Sequence, residues 1–248
     1  MMKIAVISDI HGNMQALKAV MKHIKRQHCN KIIALGDYAM AGPQPVEAVD
    51  WFINAKEQEE FILIQGNTDK LITEFDEGVF ETVKLKYPIM ANALRNDVEL
   101  LNWRHKGFLQ SLPTQLNLQF GGVKFLLVHG SPRRNNEDIL PDTPMELVEE
   151  MIADTDADVV LCGHTHIPCG FQTTTKKTVL NVGSVGRPFT SEPKACYLVL
   201  TIENGKFMVQ HHFVEYDNEE AAALMRVRNF EGADSVADII LNPDKRHV

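Results

Sequence analysis

Two imidazoles stand two residues apart in Gly163-His164-Thr165-His166, directly after the apolar run Ala157-Asp158-Val159-Val160-Leu161-Cys162. A short apolar run of that kind reads as a buried strand. The two histidines then lie on the loop at its carboxyl end, the edge where open α/β sheets bind ligands. Imidazole is the commonest side-chain ligand for borderline metals, although a pair of ordinary loop histidines would look the same. The same placement recurs four more times. Asp9 and His11 close the run at 4–7, and Asp37 follows Gly36 behind the run at 32–35. Asn67 follows Gly66 behind residues 61–64, and His129 closes the run at 123–128.

Taken one at a time, Asp37 and Asn67 could be strand-end turn residues, and His129 a satisfied loop histidine. Strands of one sheet share an edge, however, so all seven side chains can converge. They supply two carboxylates, one amide carbonyl and four imidazoles. That is too many for one four-coordinate ion; it suits two ions sharing a bridging carboxylate. Mixed nitrogen and oxygen donors favour manganese, iron, zinc or cobalt over magnesium or calcium. Two such ions, about 3.5–4 Å apart, lower the pKa of a shared water and clamp phosphate oxygens. An asparagine ligand adds no charge and keeps the site attractive to an anion.

The elements that must position these residues are legible in outline. Residues 1–70 read as β-α-β-α-β, which implies a parallel sheet with right-handed crossovers. The first strand is expected to be central. Leu17, Val20, Met21 and Ile24 mark the first helix, and Pro45, with Val46, Val49 and Ile53 as the buried stripe, opens the second. Residues 70–112 lack a strand pattern and read as a helical insertion ending at Pro113. Asn96 and Glu99 are spaced as a capping box there, followed by Leu101, His105, Phe108 and Leu112. The insertion could wall a substrate cleft or simply cover a sheet edge. Beyond it, Gly121-Gly122 and Asn204-Gly205 mark hairpins. Thr143-Pro144-Met145-Glu146 reads as a capping box with proline at the first helical position, and Asp217 with Glu220 caps a last helix. Residues 169–182 and 195–214 read as further strands. The expected architecture is α/β: a four-layer αββα sandwich of two mixed β-sheets flanked by helices, in one domain over 1–230. Residues 231–248 are expected to form a loose C-terminal tail.

The totals exclude some functions. The chain has 248 residues, 44% hydrophobic, and a net charge of −8, so it is a poor non-specific binder of nucleic acid or anionic lipid. Its four cysteines form no CxxC pair and suggest a reduced, cytoplasmic setting. No signal peptide fits the opening residues, and no apolar run reaches membrane-spanning length. The hairpin edges could join two copies as a homodimer.

The five motifs in this order resemble the calcineurin-like metallophosphoesterase superfamily: Asp9-Ile10-His11-Gly12-Asn13, Gly36-Asp37, Gly66-Asn67-Thr68-Asp69, Val128-His129-Gly130 and Gly163-His164-Thr165-His166. They span most of the chain. Gly183-Ser184-Val185-Gly186 looks like the small bacterial and archaeal phosphodiesterase branch. The resemblance implies the αββα sandwich and a dinuclear centre. Asp9, His11 and His166 would hold one ion, Asn67, His129 and His164 the other, and Asp37 would bridge them. It also implies hydrolysis of phosphodiester or phosphoanhydride bonds in small, nucleotide-type phosphorylated substrates by a metal-bridging hydroxide.

One position departs from the family. Many members carry histidine where this chain has Thr68, and that histidine helps protonate the leaving group. Threonine cannot supply a proton near neutral pH but can donate a hydrogen bond. Substrates with good leaving groups are therefore expected to be favoured. Thr68 joins Asp37 and Asn67 as a candidate catalytic residue. Arg133 and Arg134, on the His129 loop, and Arg187, after Gly186, are candidate phosphate contacts. His105, His211 and His212 lack a motif, and Cys162 and Cys169 read as small buried residues. A metal-binding interaction scaffold of the same fold, with weak or no catalysis, is the alternative; a protein phosphatase would need a broad surface groove.

Overall fold

Alternation within the first strand sets the layers. In β1 (Met2–Ile7), Ile4 and Val6 face one side and Ala5 and Ile7 the other, all fully buried. A strand buried on both faces needs covering on both. Ile4 and Val6 pack with Ile33, Phe125, Leu127, Val159 and Leu161 into a core between two sheets. Ala5 and Ile7 pack with Leu17, Val20, Val49 and Phe52 beneath the helices. The computed structural model describes residues 1–244.

The first sheet contains β1, β2 (Lys31–Ala34), β3 (Phe61–Leu63), β9 (Ala195–Glu203) and β10 (Lys206–Val214), in the order β10-β9-β1-β2-β3. As expected, β1 is central. It runs parallel to β2 and antiparallel to β9. The second sheet is formed by β4 (Gln115–Phe120), β5 (Val123–Val128), β6 (Val159–Cys162), β7 (Cys169–Gln172) and β8 (Thr178–Asn181). Its order is β4-β5-β6-β8-β7, with β5, β6 and β8 parallel. Helices α1 (Met14–Gln27) and α2 (Pro45–Lys56) cover the outer face of the first sheet, and α7 (Met145–Met151) that of the second. The result is the four-layer αββα sandwich of two mixed sheets. Among the described residues no helix is long and apolar enough to cross a membrane.

The insertion is helical: α3 (Asn67–Thr73), α4 (Glu77–Lys86), α5 (Pro88–Leu100) and α6 (Trp103–Gln110). Its internal boundaries differ from the sequence reading. Asn96 and Glu99 lie inside α5, which Pro88 opens. The cap that starts the next helix is Asn102, whose side chain accepts from Arg104 N at 2.9 Å and His105 N at 3.2 Å. Asn96 instead accepts from the Arg228 guanidinium at 2.7 Å. Pro144 is likewise the residue before α7 rather than its first, and the Thr143 hydroxyl accepts from Leu140 N. In α2 the fully buried positions are Ala48, Val49 and Phe52, so the buried stripe is turned from the expected one; Val46 and Ile53 pack at its margins.

The C-terminal region is not a loose tail where it is described. After α8 (Asn218–Arg226), residues Ala233–Leu241 form α9, and Val236, Ala237 and Ile240 pack against Ala221, Ala222 and Met225. Val236, Ile239 and Ile240 fall at helical spacing, a pattern too short to stand out beside the polar residues around it. Residues 245–248 lie outside the described residues. Ile240 is 5% exposed, so Ile240→Ala should cost about 2–4 kcal/mol in urea unfolding, whereas a tail residue would cost nothing measurable.

Candidate metal centre

The loops after β1, β2, β5 and β6, together with the start of α3, meet at one rim. Backbone geometry there is unusual. Nine non-glycine residues have positive φ among the described residues, and five of them are Asp9, His11, Asp37, His164 and His166. Each such residue costs of order 1–3 kcal/mol, a strain that tends to persist where function requires it. The glycines beside them permit the close approach. A Cβ on Gly163 would sit 2.1 Å from Ser8 Oγ and 2.6 Å from Asp9 Oδ2. One on Gly66 would sit 2.1 Å from Asp37 Oδ1.

Each carboxylate is held by one oxygen and presents the other. Asp9 Oδ2 accepts from His164 N at 3.1 Å, and Asp37 Oδ1 accepts from Thr68 N at 2.9 Å. The free oxygens face imidazole nitrogens. Asp9 Oδ1 lies 3.2 Å from His166 Nε2 and 3.8 Å from the Nε2 atoms of His11 and His129. Asp37 Oδ2 lies 3.4 Å from His129 Nε2 and 3.8 Å from His11 Nε2. Two groups able to hold a cation result: Asp9, His11 and His166, and Asp9, Asp37 and His129. The first is the triad expected from sequence. In the second, Asp9 is the member common to both groups, while Asp37 reaches toward both His11 and His129.

Tautomers follow from the outer partners. A carbonyl can only accept, so His129 Nδ1–H donates to Leu35 O at 2.7 Å and His11 Nδ1–H donates to Met40 O at 2.6 Å. In the neutral rings this leaves the Nε2 lone pairs pointing inward, the arrangement metal-ligating histidines adopt. His164 Nδ1 lies 2.9 Å from Asn67 Oδ1, which brings these two donors together. Its Nε2 lies 3.2 Å from Asp138, a carboxylate that orients the ring and that sequence reasoning missed. No apolar run precedes Asp138, so nothing in the pattern singled it out.

His11 Nε2 and His166 Nε2 lie 3.1 Å apart, within hydrogen-bond reach of each other, and two other inner atoms have no such partner. Asp9 Oδ1 and His129 Nε2 are buried with no hydrogen bond. Two carboxylates and the inward Nε2 atoms of His11, His129 and His166 form a buried concavity. Burial opposes charge on His129, yet Asp37 and Asp9 raise it to about 10. Asp37 is held well below the carboxylate range by His129 and His11 against its own burial. The concavity thus draws positive charge, and the donor set fits divalent transition-metal ions.

The arginines separate in role. Arg133 makes paired bonds to Glu137, Nη2 to Oε1 at 2.7 Å and Nε to Oε2 at 3.0 Å, and another to Glu150 at 2.7 Å. It is a strut of the His129 loop, with its donors taken. Arg134 touches Glu137 once, at 3.1 Å, and is 70% exposed. Arg187 is partly buried, with Nη1 on Met90 Sδ at 3.3 Å and a buried Nε that has no partner. Burial lowers its guanidinium to about 10, opposed by Asp37 and Asp9. It is a cation near the carboxylates with no ion-pair partner among the described residues. The Thr68 hydroxyl is also buried without a partner. His105 and His211 are structural: His105 pairs with Asp50 at 3.2 Å and His211 Nε2–H donates to Asn181 O at 2.8 Å.

A second feature went unread in the sequence. Arg228 and Asp97 form a buried pair at 2.7 Å, 8% and 0% exposed. Asp97 Oδ2 accepts from Ala41 N at 2.8 Å, and Arg228 donates to Gly42 O. Segment 38–44, which carries Met40 and so orients His11, is thereby fastened to α5 and to the chain after α8. The partners are 131 residues apart, beyond any local pattern.

Two outcomes follow. Adding manganese or zinc to chelator-treated protein, at about a hundredfold over Kd, should raise Tm by about 5–10 °C. His129→Ala should abolish most of that shift in the same melting assay. Arg228→Ala should cost about 3–5 kcal/mol in denaturant unfolding by leaving Asp97 buried and unpaired. Adding Asp97→Asn should recover much of it.

Known proteins share this fold. A protein from Pyrococcus horikoshii OT3 superposes with a TM-score of 0.87 at 23% identity, over 98% of each chain. A metallophosphoesterase from Sphaerobacter thermophilus superposes with a TM-score of 0.75 at 24% identity, over 96% of this chain and 98% of its own. An uncharacterized protein of Methanocaldococcus jannaschii is 29% identical over 236 residues, 88% of this chain and 89% of that one. Residues 2–205 match the calcineurin-like phosphoesterase superfamily domain. With that match over most of its length, the chain belongs to the calcineurin-like phosphoesterase superfamily.

Proposed function

We propose that this protein is a two-metal hydrolase of phosphodiester or phosphoanhydride bonds in small, nucleotide-type substrates. One observation carries the reading: Asp9 Oδ1 and His129 Nε2 are buried, inward-facing and unpartnered. A polar atom left so costs about 1–3 kcal/mol, and cations would relieve both. Manganese, iron, zinc or cobalt fit the mixed donor set. Asp9, His11 and His166 would hold one ion, and Asn67, His129 and His164 the other, with Asp37 between. When bound, such ions supply acidified water and neutralise phosphate oxygens.

The chain's own groups do the rest. Asp37 is fixed by Thr68 N and cannot swing out of the centre. Asp138 and Asn67 hold the His164 ring on both sides. Arg187 brings N–H donors to a phosphate without first giving up a carboxylate. The Thr68 hydroxyl can donate a hydrogen bond to a leaving-group oxygen but no proton near neutral pH. Good leaving groups are therefore favoured, as in diesters, aryl phosphates and phosphoanhydrides.

A scaffold with a degraded centre would have lost ligands, and all seven candidate positions here keep donor side chains. Hydrolysis of bis(p-nitrophenyl) phosphate should require added divalent ion, manganese being the first to try. Asp37→Asn should lower kcat at least about 10²-fold, by analogy with loss of an electrostatic contact at a reacting centre. Arg187→Ala should lower kcat/KM about 10–100-fold, the worth of a hydrogen bond to a charged group, with bound metal unchanged by elemental analysis. Thr68→His should raise alkyl monoester hydrolysis toward the about 10²-fold that general acids supply; an unchanged rate would remove the missing proton donor as the cause of the bias. No turnover with any divalent ion would leave the scaffold.

A further inference from the structure

A groove of about 550 Å³ begins at Asn67 and runs between α3 and the loop after β5. Asn67 stands 2.9 Å from His164, so the near end of the groove opens on the metal centre. Its size is that of small-molecule sites. Its lining is not that of a base pocket: no aromatic side chain contributes, and Leu71 is the only aliphatic one among the residues that line it. A nucleobase or aryl group held there would have no ring to stack on.

The walls instead present cations and amides. Lys70 comes from α3, and Arg134, Asn135 and Asn136 from the opposite loop. Both cations are loosely held. Lys70 Nζ is 3.8 Å from Glu74 Oε1, with both side chains about half exposed. Arg134 has its one 3.1 Å contact with Glu137, a carboxylate already bound twice by Arg133. Hydrogen bonds from Arg133 pull Glu137 down to about 2, so it stays ionised and is compensated by Arg133. Glu74 also lines the groove, and Arg134 and Lys70, one from each wall, are held only by these exposed contacts and can turn to a new anion.

We propose that this groove is a second-anion subsite. It rests on the phosphoesterase reading above and narrows it: the preferred substrate carries a further phosphoryl group beyond the one hydrolysed. Phosphoanhydrides and other polyphosphorylated compounds then outrank simple diesters. Lys70 and Arg134 grip the distal phosphoryl oxygens, and Asn135 and Asn136 supply neutral donors. The base or aryl part of the substrate stays outside the groove.

The test compares two substrates with the divalent-loaded, full-length protein: diadenosine tetraphosphate and bis(p-nitrophenyl) phosphate. In the double variant Lys70→Ala/Arg134→Ala, the ratio of kcat/KM for the first to that for the second should fall about tenfold or more. The loss should sit in KM and shrink as salt rises, because exposed charges are screened. An unchanged ratio overturns the subsite while leaving the phosphoesterase reading intact. If neither substrate is hydrolysed with any divalent ion, the phosphoesterase reading has failed, and calorimetry with inorganic tripolyphosphate decides the subsite. Weaker binding to the double variant than to the wild type supports it, and equal binding overturns it. A matching melting temperature for the two proteins excludes misfolding as the cause.

Discussion

Two buried carboxylates facing three buried imidazoles are the constraint on which the rest depends. The inner oxygens of Asp9 and Asp37 meet the Nε2 atoms of His11, His129 and His166 at 3.2–3.8 Å. The outer nitrogens of His11 and His129 are already spent on backbone carbonyls. Asp9 Oδ1 and His129 Nε2 keep no hydrogen bond of their own, so the pocket draws positive charge. A proton on His129 serves in the metal-free protein, and its strong upward shift expresses that demand. Under the proposed function, divalent cations would meet it instead and displace that proton.

The fold bears the cost of this arrangement in its backbone. Five candidate ligands sit in the left-handed region, which the chain tolerates because both sheets are rigid beneath them. Ile4, Val6, Leu127 and Leu161, all buried between the sheets, anchor the strands that carry three of the ligand loops. Glycine at 66 and 163 removes the atoms that would block the approach of one loop to the next. The Asp97–Arg228 pair fastens segment 38–44, so α5 and the chain after α8 help position His11 from outside the centre. A buried pair of this kind adds little net stability, but its breakage is costly, and here it fixes where Met40 meets His11.

The candidate ligands stood out in the sequence because their signal is local: an apolar run, then a donor with a glycine close by. Topology does the gathering, and parallel strands send their carboxyl ends to one edge. What escaped the sequence is long-range. Asp138 meets His164 across a loop with no periodic pattern, and Arg228 meets Asp97 from 131 residues away. Helix α9 was missed because its larger apolar positions span only Val236 to Leu241, and the partners Ala221, Ala222 and Met225 lie on another helix. Arg133 looked like a free cation, but its partners Glu137 and Glu150 can be paired with it only in three dimensions. Asn96 looked like a cap because a side chain's partner cannot be read from its spacing.

X-ray anomalous scattering from crystals grown with manganese, measured above and below the metal edge, tests the central claim most directly. Two peaks per chain are predicted. One lies among Asp9, His11 and His166, and the other is bounded by Asn67, His129 and His164, with Asp37 touching both. A centre that fills with water alone at saturating metal, or a metal bound elsewhere while these atoms stay bare, would contradict it.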